Sequence, residues 1–232
     1  MKPEVIVAID VPEAAAALDL IGKLPGDAWI KIGLELFARE GPPIVSRLVD
    51  EGRDVFLDLK LHDIPNTVAG AVRNVASLGV KLITVHASGG ESMLRAAAGA
   101  AGEAGDGTLR LLAVTVLTSL DNTEMAAVMG PGAEVAAAVG RLAGLARESG
   151  IDGVVSSVAE CRAVKLSCGE EFLVATPGIR LAHMGADDQK RVATPSVAAQ
   201  AGADFIVVGR AITGADDPAE ALKRVRAALI AA

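Results

Sequence analysis

Short apolar segments of strand length alternate with longer, alanine-rich segments of helical length along the whole chain. The apolar segments predict eight strands, at 5–10, 29–32, 55–60, 82–86, 111–117, 153–156, 172–176 and 205–209. The segments between and after them predict helices at 13–23, 43–51, 65–78, 90–102, 133–149, 158–167, 194–201 and 218–231. Strict alternation of strand and helix is typical of a parallel sheet covered by helices.

The number of strand–helix units favours a particular α/β architecture. Eight units in 232 residues predict a closed (β/α)8 TIM barrel, with residues 1–232 forming a single domain. The alternative is an open doubly wound sheet, which needs a glycine-rich turn after the first strand. That position reads Asp10-Val11-Pro12-Glu13, so the alternative is disfavoured. One connection, from 177 to about 191, is long, and connections of that length are usually functional.

Composition and charge narrow the class of function. The net charge is −7, aromatic residues make up 2% and tyrosine is absent, whereas nucleic-acid-binding proteins carry basic patches and stacking rings. No apolar run reaches the roughly 18 residues of a membrane span, and the first residues lack a signal-peptide pattern. Cys161 and Cys168 are too far apart on one predicted helix to form a bridge, and we expect reduced, buried thiols. A cytoplasmic protein that binds neither nucleic acid nor membrane is predicted.

The third strand carries the most informative polar residues. Side chains alternate between the faces of a strand, so Phe56, Asp58 and Lys60 share one face and the apolar residues between them share the other. The apolar face is expected to lie beneath helices, which places two opposite charges inside the barrel, where burial is costly. The pair is either a structural ion pair at a strand end or part of a chemical site.

Charged residues also stand at the ends of the neighbouring strands. Active sites of such barrels lie at the carboxyl ends of the strands. Asp10 and Lys31 stand there beside Asp58 and Lys60, and Asp63 follows in the next loop. Individually, Asp10 could cap a helix, Lys31 could extend its ammonium to solvent and Asp63 could begin a helix. Their shared position on adjacent strands favours one functional site.

A second cluster lies at the ends of strands seven and eight. The sequence reads Thr-Pro-Gly-Ile-Arg at 176–180 and Val-Gly-Arg at 208–210. Barrels often bind phosphate with these loops, through backbone N–H groups and a cation. Gly178 and Gly209 would let the backbone approach an anion, Arg180 and Arg210 could donate to it, and Gln189 adds a neutral donor. Arg210 has the alternative of a plain surface charge. A phosphorylated ligand spanning the barrel mouth fits both clusters.

Three further polar residues stand at the carboxyl ends of strands four and five. His86 is interpreted as a hydrogen-bonded residue of the rim in preference to an acid–base group. Thr118 and Ser119 either contact a polar ring of the ligand or cap the next helix, and the sequence leaves both open.

The segments at the ends of strands one, two, three, five, seven and eight together resemble the bacterial orotidine 5′-monophosphate decarboxylases. The resemblance covers essentially the full length of the chain. The D-x-K-x-x-D pattern at 58–63 alone is typical of a wider group of barrels that includes sugar-phosphate decarboxylases and aldolases. The complete string at 58–68, together with Lys31 and the Pro-Gly-Ile-Arg loop, is far more specific. The functional positions show no departure from the family's pattern.

The resemblance implies a cofactor-free, metal-free decarboxylation of orotidine 5′-monophosphate to uridine 5′-monophosphate, the last step of pyrimidine synthesis. It also implies a homodimer in which Asp63 and nearby residues complete the partner's site. By matching position, the catalytic residues are Lys60, Asp58, Asp63 and Lys31. Lys60 donates a proton to pyrimidine carbon 6, Asp58 lies beside the departing carboxylate, and Lys31 and Asp10 resemble the family's ribose-binding and network residues. Thr118 is expected near the base, and the phosphate at Arg180, Gln189, Gly209 and Arg210. The full set expected to contact substrate is Asp10, Lys31, Asp58, Leu59, Lys60, Leu61, His62, Asp63, Ile64, Pro65, Asn66, Thr67, Thr118, Ser119, Pro177, Arg180, Gln189, Gly209 and Arg210.

Two other functions stay open beside this expectation. One is a magnesium-dependent sugar-phosphate lyase of the wider group, in which a carboxylate replaces the lysine of strand two because the metal requires acidic ligands. The other is a barrel that binds nucleotides without catalysis. Lys31 argues against the lyase, and the intact set of Asp58, Lys60 and Asp63 argues against binding alone.

Overall fold

The structure, a computed structural model, describes residues 2–103, 107–180 and 191–229. Eight parallel strands close into a barrel in sequence order, each paired with the next and the last with the first. The strands are β1 (Glu4–Ile9), β2 (Trp29–Gly33), β3 (Val55–Leu61), β4 (Leu82–His86), β5 (Arg110–Val114), β6 (Gly153–Val155), β7 (Leu173–Thr176) and β8 (Phe205–Val208). The predicted (β/α)8 barrel is confirmed, and the open doubly wound sheet is wrong.

Eleven α-helices lie among the described residues, between the strands or after the last one. They are α1 (Ala14–Gly22), α2 (Leu34–Glu40), α3 (Pro42–Asp50), α4 (Pro65–Ala76), α5 (Glu91–Glu103), α6 (Asn122–Met129), α7 (Val135–Glu148), α8 (Val158–Cys168), α9 (Pro195–Gln200), α10 (Arg210–Thr213) and α11 (Pro218–Ala228). Proline occupies the first turn of α3, α4, α9 and α11, where a backbone N–H has no partner within the helix.

Three helices lie outside the predicted ones, namely α2, α6 and α10. The start of α6 has a readable signal, because Asp121 accepts from the Glu124 N–H and the Glu124 carboxylate accepts from the Asp121 N–H. β5 ends at Val114, short of the predicted 117. The reason is that β6 is only three residues long and its last residue, Val155, pairs with Val114.

Two separate hydrophobic clusters result from the alternation along the strands. The larger cluster lies between sheet and helices and includes Val55 and Leu57. The smaller cluster fills the barrel interior and consists of Ile6, Ala8, Phe56, Leu82, Leu112, Ala175 and Val207. The predicted faces of β3 are therefore confirmed. Because apolar side chains fill the lower interior, the inward-facing charges are confined to the carboxyl ends of the strands.

Both cysteines are free and buried, as expected. Burial is the main cause that raises the pKa of Cys161 to about 12, so its thiol stays protonated. Among residues 2–103, 107–180 and 191–229, no helix has the length and apolar character needed to cross a membrane.

Candidate active site

A cavity of about 540 Å³ opens at the carboxyl ends of the strands. Residues from both predicted clusters line it, and those predicted from sequence are Asp10, Lys31, Asp58, Lys60, Thr118, Ser119, Pro177, Gly178, Arg180, Gly209 and Arg210. The barrel thus brings two groups of residues, distant in sequence, to one concave surface, as ligand sites in this fold require.

Four charged side chains form an alternating chain along one wall of the cavity. Lys31 Nζ lies 2.9 Å from Asp10 Oδ1 and 3.9 Å from Asp58 Oδ2. Lys60 Nζ lies 2.8 Å from the same Asp58 Oδ2. Strand pairing produces this order, because Lys31 stands opposite Ala8 on β1 and opposite Phe56 on β3. Each carboxylate is next to an ammonium, which compensates for the partial loss of water.

Lys60 reaches this position through an irregular backbone. Its φ angle is 54°, the only left-handed value of a non-glycine residue in the described part of the chain. The pairing of β3 with β4 shifts register between Leu57 and Leu61, so Lys60 lies in a bulge. Bulges redirect side chains next to active sites, and strained residues tend to cluster there.

Thr84 of β4 holds both members of the Asp58–Lys60 pair. Its hydroxyl accepts a hydrogen bond from the Lys60 N–H at 2.8 Å and donates one to Asp58 Oδ1 at 2.9 Å. The residue is completely buried. The Asp58 carboxylate therefore has a separate partner on each oxygen, and its orientation is fixed.

Gly33 leaves room for the first ion pair. A Cβ atom at this position would lie 3.0 Å from Lys31 Nζ and 3.2 Å from Asp10 Oδ1. Any larger residue would press on both charged groups. The glycine at the end of β2 is thus part of the architecture that lets Lys31 meet Asp10.

The loops after β7 and β8 build another part of the cavity wall, and β8 pairs directly with β1. The Arg180 N–H donates to the Ala193 carbonyl at 2.9 Å, and the Ala193 N–H donates to the Gly178 carbonyl at 3.2 Å. Gly178 has a φ of 78°, which only glycine adopts readily. Arg180 is 7% exposed and its Nη1 donates to the Ile179 carbonyl at 3.0 Å. Two cations that follow β7 and β8, Arg180 and Arg210, line the cavity.

The remaining predicted contacts lie elsewhere. Leu59 and Leu61 pack against the outer hydrophobic cluster. Solvent-exposed residues follow them at the end of β3 and the start of α4, namely His62, Asp63, Ile64, Pro65, Asn66 and Thr67. None of these eight residues lines the cavity of this chain. Gln189 lies outside the described residues.

Arg191 joins the end of the β7–α9 connection to two other parts of the rim. Its Nη1 donates to Glu160 Oε1 at 2.9 Å and to Ser157 Oγ at 3.3 Å. Its Nη2 donates to the carbonyls of Val116 and Leu117, each at 3.1 Å. Val116 and Leu117 line the cavity themselves. One largely buried ion pair, with its accompanying hydrogen bonds, therefore holds the start of α8, the segment after β5 and the end of this connection together.

His86 ends β4 next to the charged wall. Its ring centroid lies 5.3 Å from that of His62. Burial, followed by the electrostatic effects of His62 and Lys60, lowers the pKa of His86, and Asp58 acts in the opposite direction. His86 is therefore neutral at pH 7, and its position at the rim agrees with the interpretation from sequence.

Sequence reasoning missed Thr84 and Arg191. Thr84 had a usable signal, because the inner face of β4 follows from alternation through Leu82 and His86 and a hydroxyl between them is unusual for a barrel core. No sequence signal pointed to the role of Arg191, since its partners lie between 31 and 75 residues away along the chain.

The fold and the cavity together define a (β/α)8-barrel enzyme whose cavity is lined by a chain of carboxylates and ammoniums and by two arginines. A family model described as orotidine 5′-phosphate decarboxylase / HUMPS family matches residues 3–225. The orotidine 5′-phosphate decarboxylase of Halorhodospira halophila is 50% identical over 233 residues, with 99% of this chain and 97% of that protein covered. The orotidine 5′-phosphate decarboxylase of Moorella thermoacetica is 47% identical over 231 residues, with 97% and 92% covered.

A solved structure supports the same family. The crystal structure of orotidine 5′-phosphate decarboxylase from Lactobacillus acidophilus matches with a TM-score of 0.88 at 37% identity, and 99% of each chain is covered. The chain therefore belongs to the orotidine 5′-phosphate decarboxylase / HUMPS family. The resemblance stated from sequence is confirmed, and so is the predicted enzyme class, a carboxy-lyase.

Proposed function

We propose that this protein decarboxylates orotidine 5′-monophosphate to uridine 5′-monophosphate in pyrimidine biosynthesis, with Lys60 as the proton donor to carbon 6. The observation that carries the proposal is the Asp58–Lys60 pair, 2.8 Å apart on the wall of the one cavity that also contains Arg180 and Arg210. The names of the relatives support the same substrate.

The chemistry follows from an ammonium fixed beside a carboxylate. In the reaction, the bond between carbon 6 and the carboxyl carbon breaks, carbon dioxide leaves and the electron pair stays on carbon 6. The Lys60 ammonium stabilises the developing charge and transfers a proton to that carbon, after which solvent restores the ammonium. Asp58, held by Thr84, keeps the Lys60 side chain in place beside the reacting group.

The two arginines are proposed to bind the substrate phosphate. A guanidinium can donate two parallel hydrogen bonds to a phosphate, and the buried Arg180 lines the cavity where the phosphate is proposed to bind. Gly209, between β8 and Arg210, also lines this cavity. Binding the phosphate far from carbon 6 supplies interaction energy that can orient the reacting ring. We also propose that Gln189 joins this group and that Thr118 and Ser119 lie near the base.

The alternating chain of Asp10, Lys31, Asp58 and Lys60 distinguishes this function from that of a magnesium-dependent sugar-phosphate lyase. The Lys31 ammonium occupies the space between Asp10 and Asp58, so both carboxylates face a cation that the chain itself supplies. Within the described ranges, no group of three or more His, Cys, Asp and Glu side chains is arranged to hold a metal. The absence of a metal requirement stays a prediction that chelation tests.

The exposed residues 62–67 are proposed to serve a second copy of the chain. Asp63 and its neighbours do not reach the cavity of their own chain, and Ile64 and Leu34 expose 67% and 61% of their surface. Exposed apolar residues beside a site are typical of an interface. We propose a homodimer of single-domain subunits in which Asp63 completes the partner's site. The two free buried cysteines are compatible with the cytoplasm.

The proposed function is tested with the purified wild-type protein. Orotidine 5′-monophosphate is added with and without EDTA, and decarboxylation is followed by ultraviolet absorbance and by mass spectrometry of the product. We expect uridine 5′-monophosphate at equal rates in both conditions. Activity that EDTA removes and magnesium restores would support the lyase instead, and binding without turnover would leave only a nucleotide-binding barrel.

A further inference from the structure

Thr84 is an uncharged residue whose hydroxyl hydrogen-bonds to both members of the Asp58–Lys60 pair. Its Oγ1 lies 2.8 Å from the Lys60 backbone nitrogen and 2.9 Å from Asp58 Oδ1. The Lys60 ammonium lies 2.8 Å from the other oxygen, Oδ2. The three contacts close a ring that links a β4 hydroxyl, a β3 carboxylate and the backbone of the lysine two residues further along β3.

The direction of each hydrogen bond in this ring is determined. A threonine hydroxyl has one proton, and a backbone N–H can only donate. The Thr84 oxygen must therefore accept from Lys60, and its single proton must go to Asp58. A carboxylate that accepts from a hydroxyl on Oδ1 and from an ammonium on Oδ2 cannot rotate without losing both bonds. Thr84 thus fixes the plane of the Asp58 carboxylate.

The same hydroxyl replaces a missing contact of the sheet. The register between β3 and β4 shifts between Leu57 and Leu61, and the Lys60 N–H donates to the Thr84 side chain. Lys60 also has a left-handed φ of 54°, which is unfavourable for a residue with a side chain. Such a backbone persists only where neighbouring groups hold it, and complete burial of Thr84 keeps water from competing for the N–H.

On the basis of the decarboxylase function proposed above, we propose that Thr84 is a positioning residue of the reaction. Its hydroxyl holds the bulge at Lys60 and the plane of Asp58 together, so that the ammonium is presented to the substrate in one orientation. Thr84 itself touches no reacting atom. Its loss is therefore expected to lower turnover through Lys60 and Asp58 and to leave substrate binding at the arginines largely intact.

Three variants separate this role from a structural one. Thr84→Val removes the hydroxyl and keeps the shape, and Thr84→Ser keeps the hydroxyl. The matched control is Thr115→Val, because Thr115 is also buried but its hydroxyl donates to a backbone carbonyl, that of Val155, at 2.9 Å. Each variant is assayed for kcat and KM with orotidine 5′-monophosphate, with rates normalised to the folded fraction. The wild-type protein is assayed alongside, and an inactive wild type would overturn the proposed function itself.

We expect Thr84→Val to lower kcat by about ten- to a hundredfold while KM changes less than about threefold, since a hydrogen bond to a charged group is lost. Thr84→Ser and Thr115→Val should stay within about threefold of the wild type in kcat. If the wild type is active, a kcat of Thr84→Val within about threefold of the wild-type value would overturn the proposal. Equal losses in Thr84→Val and Thr84→Ser would also overturn it, because the hydroxyl would then not be the group that acts.

Amide hydrogen exchange in the wild type tests the geometry without any variant. The Lys60 N–H should exchange slowly although it lies in a bulge near the barrel mouth, because its acceptor is a buried hydroxyl. In Thr84→Val the same amide should exchange faster, whereas Thr115→Val should leave it unchanged. If Thr84→Val does not fold, the wild-type result decides. Exchange of the wild-type Lys60 amide at the rate of an unprotected amide would overturn the proposed role, and slow exchange would support it.

Discussion

Lys31 shows how a charged residue is accommodated inside this barrel. Its side chain is 9% exposed and its ammonium lies between the carboxylates of Asp10 and Asp58. An ammonium with so little water around it is unfavourable unless carboxylates compensate for the loss. In return, the lysine separates two like charges that would otherwise repel each other across the cavity wall. The site therefore depends on all members of the chain of charges being present.

At the same scale, His86 is expected to make stability depend on pH. Its pKa is lowered from 6.5 chiefly by burial, so the unfolded chain takes up a proton at higher pH than the folded protein does. This contribution to stability is complete above pH 6.5 and is lost as the pH falls through the lowered pKa. We predict that His86→Asn flattens the decline in the free energy of unfolding below pH 6.5, measured by chemical denaturation. An unchanged decline, or an NMR titration of His86 with a pKa above 6.5, would contradict this account.

Arg210 is expected to act on the phosphate alone. We predict that Arg210→Ala lowers kcat/KM for orotidine 5′-monophosphate by about ten- to a hundredfold, the value of a charge-assisted hydrogen bond. The unphosphorylated nucleoside should be affected much less, since it has no group for the guanidinium to hold. Arg224→Ala, which removes the same charge from the exposed surface of α11, is the matched control. Equal losses on both substrates would show that Arg210 supports the barrel and not the phosphate.

Among the elements, the start of α8 is joined to the end of the β7–α9 connection by a largely buried ion pair. Arg191 and Glu160 have side chains only 16% and 10% exposed, with 2.9 Å between Nη1 and Oε1. We predict that Glu160→Gln lowers the free energy of unfolding by about 2–3 kcal/mol, because it leaves a largely buried guanidinium without its counter-charge. We also expect a raised KM, since Arg191 holds the Val116 and Leu117 carbonyls at the cavity.

The control for this prediction is an ion pair of the same charge type at the surface. Asp19 and Lys23 lie 2.7 Å apart with side chains 69% and 54% exposed. Asp19→Asn should change the free energy of unfolding by less than about 1 kcal/mol. Thermal or chemical denaturation measures both variants. Equal small changes would mean that the Arg191–Glu160 pair does not hold these elements together.

The sequence predicts the elements that are determined by local residue patterns and misses the features that depend on contacts between residues distant in the chain. The strands follow from local alternation, and Asp58 and Lys60 could be placed on one inner face because that rule needs only β3 itself. The short helix α2 lies between two glycines and has too few residues for a clear period. The bulge at Lys60 could not be predicted, because it arises from pairing with β4 and a hydroxyl 24 residues away.

On the scale of the whole molecule, the protein and its proposed substrate both carry negative charge and therefore repel each other. The chain carries a net charge of −7, and the proposed substrate is an anion. Inside the cavity the balance is reversed, since four cations (Lys31, Lys60, Arg180 and Arg210) line it against three carboxylates (Asp10, Glu35 and Asp58). Capture of the anion then depends on a few placed cations and not on the overall field of the protein.

The proposed homodimer can be tested through Asp63, which is expected to complete the site of the partner subunit. Asp63 is exposed and absent from the cavity wall of its own chain. We predict that Asp63→Asn and Lys60→Ala, each inactive as a homodimer, complement each other after subunit exchange. A mixed dimer contains one site with both native groups, so random pairing should give about a quarter of wild-type activity.

Subunit exchange has to be shown separately, for example by native mass spectrometry of chains with different tags. Mixing each variant with itself gives the control for background activity. If exchange is complete and activity stays at the level of the parents, Asp63 acts within its own chain and the proposed shared site is wrong.

The most direct test of the central claim is the turnover of Lys60→Ala. Lys60 is proposed to stabilise and protonate carbon 6, and general acids contribute about a hundredfold or more to rate. We predict that kcat for orotidine 5′-monophosphate falls at least about a hundredfold while the barrel stays folded and uridine 5′-monophosphate still binds. Lys23→Ala, at an exposed position of the surface, should keep wild-type turnover. A folded Lys60→Ala protein that retains more than about a tenth of wild-type kcat would contradict the assignment of Lys60 as the proton donor.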